Sequence, residues 1–236
     1  MNKNIILSIK NDLNDQINLA YKEQSYKFFK EKINILGVKA PAVKKISKKY
    51  FAEIKNSGRG EILLACEQLL ELGYGEYNQI AFDWAFRLKN EFEKVDFKIF
   101  EKWLKKYVSN WGACDDFCTH VFGYFIFQFP EFLSQTISWA KSSNRWLRRA
   151  SAVVLIYSLR REKYLKNAFE IADILLEDKD DLVRKGYGWM LKEASNLYPN
   201  DVFVYVMKNK ALMPRVALRY AIEKLPKKMK KDTMKK

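Results

Sequence analysis

"DLVRKGYGWML", residues 181–191, has a counterpart 36 positions earlier, "RWLRRASAVVL" at 145–155, and another 34 positions later, "RVALRYAIEKL" at 215–225. Each carries a cation at one fixed place, Arg149, Lys185 and Arg219, followed by small or apolar residues. A recurrence of this length is that of one helical hairpin, and hairpins repeated at such a period bury their apolar faces against their neighbours. The fold class that follows is all-α: an α-solenoid of HEAT-like helical hairpin repeats. The second helix of each hairpin is expected to line a concave basic groove.

The rest of the chain reads the same way. Apolar residues recur at helical spacing in "EILLACEQLLEL" (Leu63, Cys66, Leu70) and in "FEIADILLED" (Phe169, Ala172, Leu176), and no long alternating β-branched run competes. Breaks at Gly37–Pro41, Ser57–Gly60, Gly73–Gly75, Ser109–Gly112, Pro130, Ser142–Asn144, Asp178–Asp181, Pro199 and Pro214 divide the chain. They predict about a dozen helices of roughly ten to sixteen residues. One repeat domain is expected over 1–225, followed by a disordered basic tail, "PKKMKKDTMKK", at 226–236.

Charge points to a partner. The tail holds six Lys against one Asp, a net +5 of the chain's +15, which leaves +10 on the body. A folded domain this basic most often meets a polyanion; a merely solvated basic surface is the alternative. With 48% hydrophobic and 30% charged residues the chain is not of disordered composition. "MNKNIILSIKND" has too short an apolar run for a secretory leader, and no stretch approaches a membrane span, so an intracellular, cytoplasmic protein with reduced thiols and no membrane partner is expected. Cys114, Cys118 and the single histidine, His120, fall short of a closed zinc site, and the two cysteines read as buried helical residues.

The repeats define an equivalent position in each second helix. Stepping back 34 residues from Arg149 lands on Asp115, and 36 more reaches Gln79. A row of cations suits a phosphate backbone, with affinity that falls as salt rises. Asp115 breaks the row. Two readings are open: it pairs with Arg149 or caps a backbone group, or it faces a centre that becomes positive during a reaction, where a carboxylate at low effective dielectric contributes several kcal/mol. Trp111 precedes Asp115 by one helical turn and Trp189 follows Lys185 by one, so both indoles fall on the faces of these residues. Trp84, Trp103 and Trp139 read as core, while Trp146 fits either role.

"NWGACDD" at 110, "NRWLRRA" at 144, "KGYGWMLKEAS" at 185 and "KINILGVKAP" at 32, in these places, resemble the DNA alkylation repair family of AlkD-like DNA glycosylases over roughly residues 20–225. The resemblance implies a HEAT-like solenoid that removes N3- and N7-alkylated purines from double-stranded DNA, without metal or other cofactor and without flipping the damaged base into a pocket. It assigns the catalytic aspartate to Asp115, the flanking tryptophans to Trp111 and Trp189, and the active-site arginine to Arg149. Arg148, Lys185, Arg219 and Phe28 are expected to contact DNA. Phe28 stands where the family has a tyrosine, with Tyr26 two residues earlier; the ring is kept and the hydroxyl is lost. Asp116 reads as a solvated or salt-bridged neighbour of Asp115.

The chemistry suits these residues. A purine made cationic by alkylation leaves as a neutral base without a general acid, so what needs stabilising is the sugar cation left behind. The alternatives are a non-catalytic solenoid that recognises bent or branched DNA and a protein-interaction scaffold. A monomer is expected, because a DNA-binding array of this kind is complete in one chain.

Overall fold

A computed structural model describes residues 2–29 and 31–235, and all regular structure among them is helical, with no strand. The chain, expected as one domain over 1–225, divides into two compact units, Met1–Asp116 and Phe117–Lys236. The first holds α1 (Asn2–Asn14), α2 (Leu19–Phe28), α3 (Ala40–Ile54), α4 (Arg59–Leu70), α5 (Gly75–Arg87) and α6 (Asp96–Lys106), and α7 (Trp111–Thr119) begins in it. The second holds α8 (Val121–Gln128), α9 (Leu133–Ala140), α10 (Arg145–Val153), α11 (Ile156–Leu159), α12 (Leu165–Ile174), α13 (Asp181–Ala194), α14 (Pro199–Asn209), α15 (Arg215–Ala221) and α16 (Lys227–Met234).

In the first unit α5 packs on α3 and α4, and α1 on the same two helices, around Ile9, Leu13, Ile62, Phe82 and Trp84. Between α2 and α3 the chain runs without regular structure and is fixed by one buried carboxylate. Glu76 of α5, 3% exposed, accepts N–H bonds from Leu36 at 2.9 Å, Gly37 at 2.8 Å and Val38 at 3.0 Å. Gly37 has φ +99°, and a Cβ there would lie 2.7 Å from Lys22 Cβ, so this position admits only glycine without strain. The Gly37 carbonyl accepts from the Asn18 N–H at 2.9 Å, while Asn18 Oδ1 caps α2 by accepting from the Tyr21 N–H at 2.8 Å. The stretch "ILGV" thus sets the place of α2 and of the two phenylalanines at its end.

In the second unit the repeat pattern is visible as stacking. α13 packs on both α10 and α15, while α9, α12 and α14 are the partner helices of the hairpins. The two glycines of "KGYGWML" explain the close approach. A Cβ on Gly186 would meet Arg149 Cγ at 3.1 Å, and one on Gly188 would meet Tyr220 Cβ at 2.8 Å and the Ala217 carbonyl at 2.9 Å. Each glycine is where one second helix touches the next.

Two expectations of the sequence differ from the structure. The helices are more numerous and several are shorter, because second helices are interrupted: α7 gives way to α8 at His120 (φ −117°, ψ −85°), and α10 to α11 across Val154 and Leu155. Gly123 beyond the first break lies where a Cβ would come 2.8 Å from Tyr157 Cβ and closer still to the Cys118 carbonyl. No Pro or Ser marks these interruptions. The 226–236 stretch, expected to be disordered, forms α16 behind Pro226 and packs on α14 with Thr233 buried; Lys236 lies outside the described residues. Met229 and Thr233, four apart, give it an inward face that its lysines obscure in the composition.

Trp84, Trp103 and Trp139 lie in the core as expected, and Trp146 joins them at 9% exposed. Cys66, Cys114 and Cys118 are free and buried. No helix among the described residues is long and apolar enough to cross a membrane.

Candidate functional site

Asn110 opens α7. Its carbonyl accepts from the Cys114 N–H at 3.1 Å and its Oδ1 from the Ala113 N–H at 2.9 Å, the two bonds of a helix N-cap. The cap fixes the first turn, which starts with Trp111 and reaches the partly buried Asp115 one turn later. Residues four apart share a helix face, so the carboxylate lies beside the indole along α7.

Around Trp111 the first unit assembles an aromatic cluster. Phe29 stacks on the indole with ring centroids 4.9 Å apart and an interplanar angle of 21°, and Phe28 meets it edge-on at 5.7 Å and 63°. The two phenyl rings meet each other nearly perpendicular at 5.6 Å and 84°. Gly112 leaves room for this: a Cβ there would already stand 3.5 Å from Phe29 Cζ. Phe28 is 70% exposed and presents an open ring beside Trp111. Phe29 was not singled out by sequence reasoning; the only signal was its adjacency to Phe28.

A cavity of about 450 Å³ lies against this cluster, lined among others by Phe29, Phe82, Asn78, Gln79 and Asp116. Asp116, expected as a solvated or salt-bridged neighbour, is instead partly buried and forms part of its wall. The turn from residue 115 to 116 along a helix, about 100°, separates the two carboxylates.

The second unit places the cations on α10, α13 and α15 in three different states. Arg219 is exposed on α15. Lys185 is half-buried, its Nζ 2.6 Å from Asp181 Oδ2 one turn back. Arg149 departs from the expected open phosphate clamp: it is 5% exposed, and its Nη1 donates to the Leu182 carbonyl at the start of α13. Burial of a guanidinium requires such hydrogen bonds, since an uncompensated charge in the interior is costly. Arg148, also expected on DNA, is committed internally. Its Nε donates to Asp178 Oδ2 at 2.7 Å and its Nη1 to the carbonyls of Ser142 and Ser143 at 2.9 and 3.0 Å, which tie the turn before α10 to the turn before α13.

Trp189 is partly buried on α13, and its indole N–H donates to Glu193 Oε1 at 2.9 Å. Arg160 holds the other oxygen of Glu193 at 2.8 Å. Burial acts to raise the Glu193 carboxyl, but the hydrogen bonds from Arg160 and Trp189 outweigh it and hold the group below its ordinary value. The carboxylate is therefore a fixed anchor for the indole.

Among the described residues no group of His, Cys, Asp and Glu could hold a metal ion. His120 is exposed at the break after α7, and Cys114 and Cys118 are packed in the interior.

No curated protein matches this chain. Among solved structures it is similar to a predicted DNA alkylation repair enzyme from Enterococcus faecalis, with a TM-score of 0.77 and 19% identity over 90% of this chain and 98% of that one. It is also similar to smu.31 from Streptococcus mutans UA159, with a TM-score of 0.58 and 18% identity over 79% of this chain and 98% of the other. At such identities the likeness is one of fold. The sequence itself matches the family model described as DNA alkylation repair enzyme over residues 9–225, nearly the whole length. The chain belongs to the DNA alkylation repair enzyme family.

Proposed function

We propose that the protein is a DNA glycosylase that hydrolyses the N-glycosidic bond of cationic N3- and N7-alkylated purines, such as 3-methyladenine and 7-methylguanine, in the base excision repair of double-stranded DNA. The observation that carries this reading is the pairing on α7 of a partly buried carboxylate, Asp115, with an indole braced by two phenyl rings, in a chain of net charge +15. A surface meant only to hold phosphate gains nothing from a carboxylate beside an aromatic cluster.

The alkylated purine carries its own positive charge. When the C1′–N bond breaks, the bonding pair goes to the purine, which departs neutral, and the positive charge passes to the sugar. Asp115 opposes that charge and orients the water that attacks C1′; the proton of the added water passes to the carboxylate or to solvent. Trp111 and Trp189 supply aromatic faces for the sugar cation, the first held by Phe29 and the second by its bond to Glu193. Lys185 and Arg219 take the phosphate contacts. Arg149 contributes positive charge from its buried seat under α13. No group in this scheme has to protonate the leaving base, so excision proceeds without enclosing the lesion around a general acid.

The test is release of methylated bases from methylated duplex DNA by the wild-type chain and by Asp115→Asn, with duplex binding measured in parallel. The expected result is a loss of release of about 100-fold or more in the variant, the scale of removing one preorganised electrostatic group, with binding held or tightened. No release by either protein, with binding intact, would replace this reading with a non-catalytic protein that recognises bent or branched DNA.

A further inference from the structure

The cavity against Phe29 is lined by Asn78 of α5, which is 6% exposed, and Asn78 Oδ1 is buried without a hydrogen-bond partner. Buried polar groups are almost always satisfied, so an unpartnered amide oxygen on a cavity wall marks where a donor from a ligand belongs. Its volume of about 450 Å³ lies in the range of small-molecule sites. Its walls say which ligand. Phe29 and Phe82 offer aromatic faces, the exposed Gln79 stands at the rim with a second amide, and Asp116 and Glu76 make the polar lining acidic in an otherwise strongly basic protein. Phosphates and carboxylates are disfavoured there. A flat heterocycle rich in N–H donors is favoured, because a side-chain amide matches the amine and ring nitrogen of an adenine edge.

We propose that this cavity is a binding site for a purine base carrying an exocyclic amino group, whose amine donates to Asn78 Oδ1 while the ring lies along Phe29. The source of such a base, the neutral purine released on excision, rests on the proposed glycosylase activity. The recognition does not: it follows from the amide, the rings and the acidic lining. Because Phe29 also stacks on Trp111, an occupied cavity is reported by that indole.

The experiment is titration of the full-length protein, without DNA, with adenine and with 3-methyladenine, followed by tryptophan fluorescence and calorimetry; uracil, which lacks the amine, is the comparison. Wild-type protein is expected to bind both purines saturably and uracil at least tenfold more weakly. Asn78→Leu, which replaces the unpartnered amide by an apolar group of similar volume, should bind the purines at least tenfold more weakly with an unchanged or higher melting temperature. A purely structural amide would instead melt lower when replaced. Gln79→Ala, at an exposed position that does not affect folding, should weaken binding severalfold and covers the case in which Asn78→Leu folds poorly. A second arm uses duplex DNA with one unpaired 2-aminopurine. Asn78-dependent quenching there, without binding of the free base, supports the same site with the base still attached to the strand. No Asn78- or Gln79-dependent binding in either arm would overturn the proposal. Neither arm requires bond cleavage, so a failed glycosylase assay and a failed binding assay are separate results.

Discussion

Phe29 lies on the face of Trp111, with ring centroids 4.9 Å apart and planes 21° from parallel. The stacking joins the end of α2 to the first residue of α7, so the indole beside Asp115 owes its orientation to a residue more than eighty positions away in sequence. An aromatic pair of this kind contributes about 0.5–1.5 kcal/mol beyond the area it buries. Phe29→Ala should therefore lower the rate of base release by about tenfold with little change in duplex affinity, measured as single-turnover rate against binding. Equal losses in both would mean that Phe29 supports DNA contact and not the orientation of the indole.

Phe28, beside it, is exposed and lacks the hydroxyl of the family tyrosine. Phe28→Tyr adds one hydrogen-bonding group at the open edge of the cluster. A single added bond of about 1 kcal/mol corresponds to roughly fivefold tighter binding. DNA titrations should show a gain on that scale and thermal melting no change, since the ring contacts remain. A drop in melting temperature would mean that Phe28 is a packing residue.

The cations of the second unit separate by what they already hold. Lys185 has a half-exposed partner one helical turn away, and such pairs contribute about 0–1 kcal/mol, so exchanging Asp181 for a phosphate costs little. Arg219 is exposed. Lys185→Ala and Arg219→Ala should each reduce the salt dependence of duplex binding by about one phosphate contact. Arg148→Ala should behave differently. It breaks a bond to Asp178 and leaves two carbonyls without their donor, so it should lower the melting temperature and leave the salt slope nearly unchanged. A reduced slope for Arg148→Ala at unchanged stability would restore it to the DNA-contacting row.

Those outcomes bear on what a sequence discloses. The repeat at 145, 181 and 215 discloses the stacking of α10, α13 and α15, because periodicity reports which faces must be buried. It also brings Asp115 and the cations to equivalent places. It does not disclose what each cation bonds to: Arg148 and Arg149 are adjacent basic residues in the sequence, yet one ties two turns together and the other is buried under the start of α13. The Phe29 stack is likewise hidden, because it is a contact between distant helices that leaves no local period. The lysines of 226–236 point to solvent in composition, but the helix forms from the spacing of Met229 and Thr233, which a charge count passes over.

The glycines of α13 offer a sharper check on the packing. Alanine is about 1 kcal/mol more favourable than glycine in a helix interior where nothing obstructs it. Gly60 in α4 meets that condition, with no atom within 4 Å of a would-be Cβ. At Gly188 the same methyl group would meet Tyr220 Cβ at 2.8 Å and the Ala217 carbonyl at 2.9 Å, which forces α13 from α15. Gly60→Ala should leave the melting temperature equal or higher, whereas Gly188→Ala should destabilise by about 1–3 kcal/mol, the usual cost of overpacking. Similar melting temperatures for the two variants would mean that α13 and α15 do not approach this closely.

Glu193 links the stability of the second unit to pH through the residue that holds Trp189. Its folded-state carboxyl is held below the ordinary value of 4.5, against the opposing effect of burial, by bonds from Arg160 and Trp189. A group whose pKa falls on folding binds fewer protons in the native than in the unfolded state. The stability it contributes is therefore complete above its unfolded value and is lost as pH falls through the folded one. Glu193→Gln keeps an acceptor for the indole N–H and removes the charge that Arg160 pairs with. Arg160 is 46% exposed, so solvent screens the pair and the difference at neutral pH should stay near 1 kcal/mol. Melting curves of the two proteins should differ by a constant amount from about pH 7 down to about pH 5 and converge below about pH 4. Trp189 fluorescence should follow the same course in the wild type, because protonating the carboxylate weakens the charge-assisted bond that holds the ring. A stability difference independent of pH would show that Glu193 acts through packing and that its ionisation contributes nothing to the position of Trp189.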